Sequence, residues 1–165
     1  MRALDPVEAS MATVRRGASV PGLGDVEAAR AEWCGTVNAL ASRVRGWVEG
    51  HEWRTRLVSK PTRDPLLGRF EVPLLLMERN GVQIALNPVS RFLVTAEDGV
   101  EEGSVDLYVV PAYDEVASLY YDGETWTLFY VFDRTATDRR GRAEVMPLTA
   151  GSMLRVLESM TENAQ

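Results

Sequence analysis

Between residues 26 and 47 the apolar side chains Val26, Ala29, Trp33, Val37, Leu40, Val44 and Trp47 recur at alternating steps of three and four. That spacing draws one stripe along a 3.6-residue period and predicts an amphipathic helix over 26–49. Asp25 stands where an N-cap belongs, and Gly50 where a helix ends. From Trp53 the period changes to two. Strands are predicted at 53–59, 69–78, 82–87, 90–95, 104–110, 117–121 and 124–132, with a short further strand at 143–146. Asn80-Gly81 and Asp122-Gly123 are two-residue type I′ hairpin signals, because both central positions of that turn need positive φ. Pro73 has no N–H for a ladder, so its strand must be an edge or carry a bulge there. The segment 124–132 is apolar on both parities, with Trp126, Leu128, Tyr130 and Phe132 on one and Phe129 and Val131 on the other, and is expected to lie centrally with both faces covered.

A last helix is predicted over 150–161, capped by Thr149, with Met153, Leu154, Leu157 and Met160 as its stripe. Near the start, Asp5, Pro6 and Glu8 form a helix-opening signal, and Gly17 a stop. Residues 17–24 read as a linker. The expected organisation is a short N-terminal helix and linker over 1–24 and one α+β domain over 25–165. Its sheet is mostly antiparallel, of about six or seven strands, packed by a long N-terminal helix and a C-terminal helix. The Trp33/Trp47 stripe should face that sheet.

Composition narrows the function classes. The chain of 165 residues is 45% hydrophobic and 25% charged, ordinary values for a globular domain with one sizeable core. A single cysteine, Cys34, excludes an internal disulfide and a multi-cysteine zinc site. A single histidine, His51, excludes chemistry that needs a pair. No apolar run approaches the length of a membrane span, and the acids at positions 5 and 8 interrupt any signal-type segment, so a cytoplasmic, non-membrane protein is expected. Seventeen arginines against the one lysine, Lys60, suit a GC-rich bacterial coding sequence. The net charge of −6 argues against non-specific nucleic-acid binding. That charge is concentrated: residues 92–133 carry ten acids and no base, while both flanks are slightly positive.

Few constellations carry chemistry. Cys34 and His51 are about 25 Å apart along a straight helix, too far for a thiolate–imidazole dyad. His51 and Glu52 are adjacent and point apart. The phosphate-cradling glycine patterns are absent, and the glycines of 21–25 serve as a linker. No cofactor and no catalytic residue are assigned. Asp106, Asp114 and Glu115, with Asp133, are ordinary acids whose convergence would be needed to hold magnesium. All five tyrosines lie in the acidic block, and tyrosine combines large contact area with low side-chain entropy and a polar tip. Asp106, Tyr108, Tyr113, Asp114, Tyr120 and Tyr121 are therefore the candidate partner-binding residues. Arg134, Arg139, Arg140 and Arg142, in the polar loop 133–142, are candidate anion ligands through their planar forks of donors. The function expected is a small, non-catalytic binding or adaptor protein that contacts a protein partner, or a second copy of itself, through the 92–133 sheet region. The alternative is a metal-dependent hydrolase or nuclease using Asp106, Asp114 and Glu115, with the arginine loop holding phosphate.

Overall fold

The computed structural model describes residues 23–94, 101–113, 115–132 and 143–164. The helix expected over 5–17 and the arginine loop 133–142 lie outside the described residues. Helix α1 (Leu23–Glu49) leads into seven strands: β1 (Arg54–Asp64), β2 (Gly68–Arg79), β3 (Val82–Val94), β4 (Glu101–Val109), β5 (Val116–Tyr121), β6 (Trp126–Tyr130) and β7 (Glu144–Pro147). Helix α2 (Ala150–Ala164) follows. The strands form one sheet in sequence order, every neighbour antiparallel. This is a single-layer meander, and it gives the α+β class that the periodicity implied.

Two expected strands, 82–87 and 90–95, are one. Strand β3 runs through Pro88, and its register against β4 slips between Pro88 and Ser90 and again between Ser90 and Leu93. The slips, where an N–H is missing from the ladder, absorb what looked like a break. At Asn80-Gly81 the turn is as expected, with φ of 54° and 78°. At Asp122-Gly123 it is not: Tyr121 pairs with Trp126, so four residues form the loop and only Gly123 has positive φ. The Asp122 carboxylate accepts from the backbone N–H of Glu124 and Thr125, which replaces the two-residue turn by a side-chain-closed one. Pro73 pairs with Ser59 of β1, whereas β2 meets β3 only from Leu75 onward. The proline thus sits where β2 has no ladder on its other side, which is the edge-like setting its missing donor requires.

The core lies on one face of the sheet. Leu75, Leu86, Leu107 and Ala117 are consecutive cross-strand partners on β2 to β5, and all are buried. Trp33, Val37, Leu40, Ala41, Val44 and Val48 of α1 pack on them together with Met153, Val156, Leu157 and Met160 of α2. Each buried Val, Leu or Met among them contributes about 1.5–3 kcal/mol relative to exposure. Trp33 is 1% exposed, whereas Trp47 is only half-buried, its ring 5.2 Å from the Arg43 guanidinium carbon. Helix α1 begins at Leu23, so Asp25 lies in its first turn instead of capping it. Helix α2 is capped as expected: Thr149 Oγ1 accepts from the Ser152 N–H at 3.0 Å, and Ser152 Oγ accepts from the Thr149 N–H at 2.9 Å. Strand β6 is covered on one face only: Trp126, Leu128 and Tyr130 are buried, whereas Thr127 and Phe129 are half-exposed. The expectation that both its faces are covered is therefore corrected, because both helices lie on the same side.

Candidate functional site

Because side chains alternate across a sheet, the cross-strand register sorts residues onto the helix-covered face and the open face. Asn87, Asp106, Ser118, Phe129 and Val145 are successive partners across β3, β4, β5, β6 and β7. They form one row on the open face. Tyr108, opposite Ala85 and Val116, lies in the next row, and Tyr120, opposite Ser104 and Thr127, lies on the other side. The face is therefore aromatic at its rim and polar at its centre.

The centre is Asp106. One carboxylate oxygen accepts from Ser118 Oγ at 3.1 Å and the other accepts a short hydrogen bond from the Tyr113 hydroxyl. Tyr113 stands on the β4–β5 connection and stacks on Tyr108, ring centroids 4.4 Å apart. Burial of its hydroxyl, then the Asp106 carboxylate, holds the Tyr113 phenol well above the usual range, so it remains a hydrogen-bond donor. Tyr120 meets Phe129 edge-on at 5.1 Å.

Lys60 completes the group from an unexpected direction. It belongs to β1, yet its ammonium donates to Asn87 Oδ1 and to the Pro88 carbonyl of β3, the latter at 3.2 Å. This is possible because β2 parts from β3 beyond Leu75, and the long side chain enters the gap. Burial lowers the Lys60 pKa, and the negative field of Asp106 opposes that shift without cancelling it.

The expected site residues separate. Asp106, Tyr108, Tyr113 and Tyr120 come together on or beside the open face. Tyr121 is on the other face, packed on Trp126 at 4.8 Å and donating to the Gly123 carbonyl. Asp114 and the four arginines of the 134–142 loop lie outside the described residues. Glu115, 6% exposed, accepts from the Tyr130 hydroxyl and from Asn163 Nδ2 of α2 at 3.4 Å, on the helix side. Asp106 and Glu115 are thus on opposite sides of the sheet and cannot share an ion. No group of three potential metal ligands occurs among the described residues. Three described acids of the central block are each engaged separately: Glu115 is buried, Asp122 closes its own turn, and Asp106 is held by two hydroxyls. Cys34 is half-buried, its thiol 3.3 Å from the Glu71 carbonyl and its pKa raised by burial, the setting of an inert thiol.

Sequence reasoning missed Lys60, Asn87, Ser118 and Phe129. The parity of positions was available, since Asp106 and Tyr108 alternate in step within one strand and Ser118 and Tyr120 within the next. The entry of Lys60 was not. No described helix is long and apolar enough to cross a membrane. Comparison with protein-family models, curated proteins and solved structures finds no match.

Proposed function

We propose that this protein is a non-catalytic binding protein that takes up a protein partner on its open sheet face, through Tyr108, Tyr113 and Tyr120 around Asp106. One observation carries the reading. Both helices pack on a single face of the meander, and among the described residues no element covers the other, which presents three tyrosines and Phe129 partly exposed. Clusters of this kind resemble the centres of protein interfaces, where tyrosine supplies contact area at low entropic cost and a hydroxyl for the partner's polar groups. The Tyr108–Tyr113 stack and the Asp106 hydrogen bonds hold those rings in place before binding, which lowers the ordering cost. A cytoplasmic location belongs to the same proposal and rests on the lone cysteine.

The test is affinity capture from the source organism with wild type, Tyr108→Ser and Tyr120→Ser, with sedimentation analysis of each alone. A defined partner, or self-association, should weaken at least tenfold in each variant, since an interface aromatic contributes about 2 kcal/mol or more at a central position. Both variants should melt close to wild type. Complexes undiminished by either substitution would overturn the proposal.

A further inference from the structure

The β1–β2 hairpin pairs its charges in two opposite ways. At its open end Arg54 stands across from Glu78, and the two form an ion pair at 2.8 Å. Near its tip Arg63 stands directly across from Arg69. Both are exposed, and neither has a hydrogen-bond or ion-pair partner among the described residues. Directly opposed side chains have Cβ atoms about 5 Å apart, so two guanidinium groups there repel. Charge at this position guards a strand edge against unwanted pairing. A glutamate on one strand would guard it equally well and would pair with the arginine opposite. The double arginine is therefore not explained by edge protection.

These two residues border a groove of about 550 Å³, within the size range of small-molecule sites, whose apolar lining is Phe70 and Pro61. A third guanidinium lies at the hairpin tip. Arg30 of α1 donates from Nε to the Leu67 carbonyl at 2.6 Å and sits 5.9 Å from the Phe70 ring centroid. At Gly68, where φ is +74°, an added Cβ would lie 3.0 Å from Arg30 Nη2. Glu71, also on the groove wall, is turned aside by accepting from Ser59 Oγ at 2.9 Å.

We infer that this groove binds a phosphate monoester, with Arg63 and Arg69 holding the dianion and Pro61, on their face of the hairpin, receiving the body that carries it. Two planar forks match the charge and geometry of a phosphate dianion, and its arrival removes the repulsion between them. The site is separate from the open face and does not depend on the proposed partner.

The test is calorimetric titration with two probes, inorganic phosphate and adenosine 5′-monophosphate, in about 0.1 M chloride so that diffuse attraction is screened. Wild type, Arg69→Gln and Arg63→Glu are compared. Arg63→Glu restores an opposite-charge pair like Arg54–Glu78, so it should melt at or above the wild-type temperature, yet bind neither probe. Arg69→Gln should lose at least tenfold in affinity. Tighter binding of the nucleotide supports the inference, and equal binding, the result for a site that holds only the free oxyanion, overturns it. Absence of saturable binding in wild type, or binding unchanged in Arg63→Glu, would overturn the inference.

Discussion

Tyr130→Phe removes one oxygen from a polar cluster that joins the sheet to α2. Tyr130 is 3% exposed and Glu115 6%. The phenol donates to Glu115 Oε1, lies 3.3 Å from Ser159 Oγ and accepts from Asn163 Nδ2 at 3.3 Å. Phenylalanine fills nearly the same volume, so the cost is electrostatic: a buried carboxylate loses its hydroxyl donor. A hydrogen bond to a charged group contributes about 1.5–3 kcal/mol, and that is the expected loss by urea denaturation at pH 7. The pH dependence supplies an independent check. Burial, then the Glu115 hydrogen bond, pushes the Tyr130 pKa up to about 12 from an ordinary 10.0. A raised folded-state pKa contributes stability that is complete below the unfolded value and lost as pH rises through the folded one. Two units correspond to at most about 2.7 kcal/mol, similar to the hydrogen-bond figure. The gap between wild type and Tyr130→Phe should therefore be constant up to about pH 10 and close by about pH 12. A variant within about 0.5 kcal/mol of wild type at pH 7, the spread of an uneventful surface change, would refute the reasoning. So would a gap that does not narrow in alkali.

Asp106→Asn should bring the Tyr113 phenol back toward its ordinary range, because a neutral amide neither repels the phenolate nor requires the hydroxyl proton. Tyrosinate absorbance against pH would show one tyrosine titrating earlier than in wild type, and an unchanged curve would mean that the Tyr113–Asp106 contact does not form. Two glycine substitutions should have opposite signs. At Gly81, φ is +78° and a Cβ meets nothing within 4 Å, so Gly81→Ala should cost about 1–2 kcal/mol by backbone strain alone. At Gly46, on the exposed side of α1 and with equal space for a methyl, Gly46→Ala should stabilise by up to about 1 kcal/mol through helix propensity. Thermal or urea unfolding of both variants checks the pair, and equal signs would contradict the assigned conformations.

What the sequence by itself determined is the local layer. The stripe from Trp33 to Val44 fixed a helix, the switch to period two fixed the strands, and Asn80-Gly81 fixed a turn, because each depends on side chains a few residues apart. The antiparallel meander follows from short turns. Tyr108, Tyr113 and Tyr120 were legible as surface candidates, and alternation already placed Asp106 with Tyr108. The tertiary structure decided what depends on pairings between distant strands. Both helices took the same face, which left β6 half-covered and assigned Tyr121 and Glu115 to the core side while Asp106 stayed outside. Lys60 joined Asn87 only because β2 leaves β3 at Leu75, a divergence no local pattern encodes. Arg63 faces Arg69 only in the register of one hairpin, and a shift of one residue would have turned either to the other face.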